Sequence, residues 1–193
     1  VKVRERRIGN TILFLVDASG SMGAQRRMAA AKGAVLSLLQ DAYQKRDAVG
    51  LIAFRQQRAD LLLSPTRSVE LASRLLRELP TGGRTPLSLG LRRALELIKA
   101  LRARDPDVLP LLVLISDGRA NVSLHGGEAV EESRRMAQRA VAERIQCVVV
   151  DTETGPVRLG LARALAERMQ GLYVQLDDLE AQMLSEVERT RLR

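Results

Sequence analysis

Thr11-Ile-Leu-Phe-Leu-Val-Asp17-Ala-Ser19-Gly-Ser21-Met-Gly23 runs six strand-forming residues straight into a small polar loop. The run is apolar almost without alternation, as in a strand buried on both faces of a sheet. Asp17, Ser19 and Ser21 are two apart, so an extended backbone turns their oxygens to one side. Gly20 and Gly23 permit the tight turn that closes the loop before a helix begins.

The same rhythm recurs outward from this stretch. Short β-rich runs follow at Val49–Phe54, Leu61–Leu63, Leu111–Ile115, Cys147–Val150 and Leu172–Leu176. Between them, apolar residues return at three- and four-residue steps: Met28 to Ala42, Leu87 to Leu101, Met136 to Val141, Leu161 to Met169, and Leu179 to Val187. Strands alternating with helices predict an α/β fold: a doubly wound, mostly parallel six-stranded sheet with helices on both faces. Only five residues separate Phe54 from Asp60, too few for a crossover helix, so the short segment near Leu61 is expected as an antiparallel edge strand. There is no internal repeat. Residues 1–10, with four Arg or Lys, read as a basic tail or linker and residues 11–193 as one domain.

Composition narrows the class. A chain of 193 residues buries roughly 70% of its unfolded surface as one domain. No apolar run approaches the ~20 residues of a membrane span, and Val1-Lys-Val-Arg-Glu-Arg-Arg7 lacks a signal-peptide core. Val1 in place of an initiator Met suggests a domain of a longer polypeptide. A single Cys147 makes no internal disulfide and no Cys-based zinc cage, which points to a cytoplasmic setting. The net charge is +8, but the Arg residues are interleaved with Glu and Asp. Two Phe, two Tyr and no Trp offer no stacking platform, so nucleic acid is not an expected partner. The basic surface suits an acidic protein instead.

In such sheets ligands bind beyond the carboxyl ends of the strands. Asp17 ends one strand, and Leu114-Ile-Ser-Asp117-Gly118 places a second carboxylate at the same edge. Thr81-Gly-Gly-Arg84-Thr85-Pro86-Leu87 adds the Thr85 hydroxyl just before a helix that Pro86 can start. Two carboxylates and three hydroxyls, with no obligatory His or Cys, form a hard oxygen set that suits Mg²⁺, with Mn²⁺ as a substitute. The protein's charge there is only −2, so an open position would welcome an outside carboxylate.

Asp17-x-Ser19-x-Ser21, then Thr85, then Asp117 resembles the metal-ion-dependent adhesion site of von Willebrand factor A (integrin I-like) domains. The stretches Gly9–Met22, Arg46–Arg55, Leu79–Leu87 and Ser116–Asn121, with Asp151-Thr152 after the late strand, resemble the C-terminal domain of the magnesium-chelatase D subunit. The resemblance covers nearly the whole chain. It implies Asp17, Ser19, Ser21, Thr85 and Asp117 as Mg²⁺ ligands in a docking domain that is not itself catalytic. It further implies partners: an AAA+ ATPase subunit and a porphyrin-binding subunit, docked through an acidic side chain. Their assembly inserts Mg²⁺ into protoporphyrin IX at the expense of ATP. A cobalt-chelatase subunit, or an adaptor for another AAA+ machine, would carry the same site. Arg84 departs from the family's Gly-Gly-Gly-Thr-Pro-Leu loop, and a guanidinium there would either repel the cation or, the reading favoured here, clamp an incoming carboxylate. Arg119 and Asn121 flank the site as further candidate partner contacts.

Each residue also has a plainer role. Asp17, Ser19 and Thr85 are ordinary helix-capping types, and Asp117-Gly118 makes a common turn. Asp151 either supports the site from behind or simply ends its strand. Lone His125 reads as solvent-exposed. Ser21, Asp117 and His125 follow the chain order of an α/β-hydrolase triad, but neither Ser19 nor Ser21 sits in Gly-x-Ser-x-Gly. There is no Gly-x-x-x-x-Gly-Lys-Ser/Thr phosphate loop either, so ATP binding would belong to another domain or subunit.

Overall fold

The computed structural model describes residues 10–20, 25–154 and 156–178, the side chains of Gln25 and Arg26 excepted. Six strands, β1 (Thr11–Asp17), β2 (Ala48–Arg55), β3 (Arg58–Thr66), β4 (Pro110–Ser116), β5 (Gln146–Asp151) and β6 (Leu172–Gln175), form one sheet in the order β3-β2-β1-β4-β5-β6. Every pairing is parallel except β2 with β3. This is the doubly wound sheet with an antiparallel edge that the sequence predicts.

β1 is central because both its faces are apolar. Phe14 and Val16 enter one core layer, with Met28, Ala31, Val35, Leu39 and Ala42 of α1 (Gln25–Lys45) and Ala72 and Leu76 of α2 (Val69–Arg77). Leu13 and Leu15 enter the other, with α3 (Leu87–Arg104), α4 (Ala129–Ala142) and α5 (Leu161–Arg168). The strand order reverses between β1 and β4, and the crevice of such a sheet opens at that point, beyond the strand carboxyl ends.

Three features depart from the sequence reading. β3 is nine residues rather than a short segment. Its ends carry Arg58, Asp60 and Pro65, polar or N–H-free residues that an edge tolerates but that mask the apolar stretch between them. Helix α2 was not anticipated; it has nine residues, and only Ala72 and Leu76 are fully buried. The Lys32 ammonium on α1 helps to define its end by donating to the carbonyls of Arg77 and Leu79. Pro86 precedes α3 instead of occupying its first position. The basic tail up to Gly9 and the helix expected over Leu179–Val187 lie outside the described residues, as does Ser21.

Candidate metal centre

The loop before α3 is laced onto the ends of two strands by main-chain bonds. The Gly82 N–H donates to Ala18 O (2.9 Å), Gly20 N–H to Gly83 O (2.8 Å) and Gln56 N–H to Arg84 O (2.8 Å), while Ala18 N–H reaches Phe54 O (3.0 Å). Asn121 grips the next residue from the β4 side. Its N–H donates to Thr85 O (3.1 Å), and its side-chain Oδ1 accepts from Thr85 N–H (2.7 Å). With its peptide held on both sides, Thr85 donates its hydroxyl to Ser19 Oγ at 2.9 Å.

Asp17, Ser19, Thr85 and Asp117 thus converge at the switch point, none more than 1% exposed. Asp17 Oδ1 accepts the Ser19 N–H and Oδ2 accepts the Ser116 hydroxyl, both at 2.9 Å. Ser116 Oγ accepts the Gly118 N–H in turn (3.1 Å), so one hydroxyl fixes both carboxylate-bearing turns. Burial pushes the Asp17 carboxyl up to about 6, the neighbouring Asp117 charge adds to the rise, and the hydrogen bonds from Ser19 and Ser116 oppose it.

Asp117 is the less satisfied partner. Its Oδ1 accepts the Arg119 N–H (3.0 Å), but among the described residues its buried Oδ2 accepts no hydrogen bond. Arg119 Nε stands 3.4 Å from Oδ2 on a half-exposed side chain, near enough to attract but poorly aligned to donate. Buried polar atoms nearly always have partners, so a bare carboxylate oxygen here marks a place for one. The residues fit a hard divalent cation: two carboxylates and the hydroxyls of Ser19 and Thr85 face one another at a buried edge. Among the described residues no three His, Cys, Asp or Glu side chains form a metal cage, so hydroxyls would have to complete any coordination.

The remaining candidates are more peripheral. Arg84 is exposed beside Thr85 and forms no ion pair among the described residues. Asn121 acts inside the site as the Thr85 clamp. His125 is exposed, its main-chain N–H donating to Glu132 and Ser123, and no hydrogen bond joins it to Asp117. Asp151 ends β5 and accepts the Tyr173 hydroxyl (2.6 Å) and the Glu153 N–H (2.8 Å).

Two contributors escaped the sequence reading. Ser116 stands directly before Asp117 at a strand end, the one signal available for it. Glu132, in the first turn of α4, accepts from Ser123 Oγ (2.7 Å), Leu124 N–H (2.6 Å) and His125 N–H (3.0 Å). It anchors the glycine-rich loop that delivers Asn121. These bonds, led by that from Leu124, hold its carboxyl below the usual glutamate range. The protection it gives the loop is therefore present at neutral pH and is lost as pH falls below the ordinary range and through the lowered pKa. Glu132→Gln should speed amide exchange at Leu124 and His125 about tenfold at pH 7, the loss expected of a charge-assisted hydrogen bond. Unchanged exchange would mean the loop holds itself.

Against known proteins, the model for the von Willebrand factor type A domain matches residues 12–120. The chain belongs to the von Willebrand factor type A domain family. A relative in Mycobacterium tuberculosis, an uncharacterised protein, is 50% identical over 94% of this chain and 28% of its own length. An uncharacterised Methanocaldococcus jannaschii protein is 37% identical, over 86% of this chain and 95% of its own length. The magnesium-chelatase 67 kDa subunit of Chlorobaculum tepidum is 41% identical, over 92% of this chain and 30% of its own length. The chain therefore spans less than a third of the first and third of these relatives. Among solved structures, the von Willebrand domain of the Porphyromonas gingivalis pilus-tip protein Mfa5 superposes with a TM-score of 0.72 over 96% of both chains at 13% identity, a likeness of fold. The polar cluster of this chain lies at the carboxyl edge of its sheet.

Proposed function

We propose that this type A domain holds Mg²⁺ between Asp17, Ser19, Ser21, Thr85 and Asp117 and uses it to dock an acidic side chain of a protein partner. The observation that carries the reading is the buried Oδ2 of Asp117, which accepts no hydrogen bond among the described residues and has only the half-exposed Arg119 guanidinium near it, beside an Asp17 whose two oxygens are held by a main-chain and a hydroxyl bond. A bound Mg²⁺ would supply a Lewis-acidic position for an incoming carboxylate. The chain's own residues do the rest: Ser116 orients Asp17, Asn121 fixes Thr85, and the two carboxylates leave the ion's charge no more than balanced. Arg84 and Arg119 stand where they would steer the incoming acid.

The parent assembly in this reading is a magnesium chelatase, with the domain as a non-catalytic part of its D-type subunit. Identity of 41% to a chelatase subunit over 92% of the chain supports it. ATP hydrolysis and Mg²⁺ insertion into protoporphyrin IX would then fall to the AAA+ and porphyrin-binding subunits. A second reading, an adaptor for another AAA+ machine, draws on the Methanocaldococcus jannaschii relative only in that this domain covers 95% of it, so that a type A domain of this kind makes up nearly a whole protein there.

Pull-downs against the AAA+ and porphyrin-binding subunits of the source organism test this in Mg²⁺, in EDTA and with Asp17→Ala. Capture in Mg²⁺ alone, lost in EDTA and with Asp17→Ala, is the expected result. Capture indifferent to both would make the cluster a structural remnant. A folded domain that binds Mg²⁺ yet captures neither subunit would move the assignment to another machine.

A further inference from the structure

Val157 and Leu159 are 78% and 58% exposed, and among the described residues they are the large apolar side chains left in water at the sheet edge that carries the polar cluster. The main chain at the end of this loop is held. Glu153 is itself buried, and it accepts the Leu159 N–H at Oε1 (2.8 Å) and the Gly160 N–H at Oε2 (3.2 Å). Its own N–H is fixed on Asp151 Oδ1 (2.8 Å). A carboxylate is thus taken out of water to fix the main chain that carries the exposed Leu159, two residues after the exposed Val157, an arrangement that benefits a partner and not the isolated fold.

This patch is continuous with the candidate metal centre. Thr152 N–H donates to Ser116 O (3.3 Å). Gly118 packs so closely on the start of α5 that a Cβ there would stand 2.6 Å from the Leu161 carbonyl carbon. The charges are sorted as well. Within residues 80–86, 117–121 and 152–160 the acids Asp117 and Glu153 are buried, while the exposed charges are Arg84, Arg119 and Arg158.

We infer that Val157, Arg158 and Leu159 extend the metal centre into one docking surface for an acidic protein segment, taking an apolar side chain adjacent to the carboxylate that meets the cation. The inference rests on the proposed metal-mediated docking. A cation alone would accept any exposed acid. The apolar pair supplies discrimination, because only a segment that buries a hydrophobic neighbour gains the added contact, and the three arginines favour further acidic residues around it.

Two blocked heptapeptides, Gly-Ser-Leu-Glu-Leu-Ser-Gly and Gly-Ser-Ser-Glu-Ser-Ser-Gly, test it by calorimetry in millimolar Mg²⁺ on the whole chain and on a Val157→Ser/Leu159→Ser variant. Both substitutions are at exposed positions, and an unchanged melting temperature verifies the fold. The leucine-flanked peptide should bind the wild type about tenfold more tightly, the effect of burying part of two apolar side chains. The variant should bind both peptides alike, within about twofold, and keep its affinity for Mg²⁺. A variant that retains the preference, or a wild type without one, overturns the inference. Mg²⁺ titrated without peptide separates the two readings. A domain that binds Mg²⁺ but ignores the flanking residues loses only the apolar patch, whereas one that binds no Mg²⁺ loses both. A concentration-dependent dimer of the wild type, abolished in the variant, would assign the patch to a second copy of the chain and equally overturn the inference.

Discussion

Asp117→Asn is expected to abolish Mg²⁺ binding while leaving the metal-free domain at least as stable as the wild type. The carboxylate is buried, one oxygen accepts no hydrogen bond, and its nearby cation is half exposed at 3.4 Å. Folding therefore carries a poorly compensated charge, which the neutral amide removes without changing shape. The Asn Oδ1 can still accept the Arg119 N–H that Asp117 accepts now. Thermal unfolding with and without Mg²⁺ reads both effects. At a concentration about a hundredfold above Kd, the wild type should gain about 2.7 kcal/mol from the cation, and the variant nothing. A wild type whose melting is indifferent to Mg²⁺, or a variant that still responds, would remove Asp117 from any metal site. A variant that unfolds without metal would show the charge to be structural.

Gly118→Ala should be the most damaging small substitution at this edge. Gly118 has φ +78°, and an added Cβ would overlap the main chain of Ala162 and Leu161 rather than a side chain able to swing away. Gly126 provides the control, with φ +75° and nothing within 4 Å of its notional Cβ. Gly126→Ala should cost about 1 kcal/mol, the strain of a left-handed backbone alone. Gly118→Ala should cost about 3 kcal/mol or more, because either Asp117 or the start of α5 must move. Denaturant midpoints at unchanged m-value measure both. Equal losses would mean that the contact with α5 is softer than the geometry states.

How legible the molecule was in its sequence depended on how many faces each element buries. β1 gave itself away because Leu13, Phe14, Leu15 and Val16 are all core residues, leaving a run that only a central strand explains. The edge strand β3 was under-read because its solvent-facing half is polar, and α2 was missed because it is only nine residues long, although Val69, Ala72 and Leu76 recur at three- and four-residue steps. At the site, Asp17, Ser19 and Asp117 were visible as polar residues at or just past strand ends and Thr85 as a hydroxyl just before a helix, and they do converge. Ser116 and Glu132 were not. Each acts through hydrogen bonds to residues distant in sequence or to a loop main chain, and neither spacing nor periodicity encodes that. Asn121 was visible, but its bonds to Thr85 were not.

The Thr85–Ser19 bond spans 66 residues of chain and the Ser116–Asp17 bond spans 99. No fragment that stops short of β4 contains both halves of the cluster, and no local segment can assemble it early, because distant pairings are among the last that a chain can afford to close. Assembly of the candidate metal centre is thereby tied to completion of the central sheet. On the proposed reading, a nascent, truncated or half-unfolded copy would present its arginines without the buried carboxylates, and would take up neither the cation nor the acidic segment proposed to dock there.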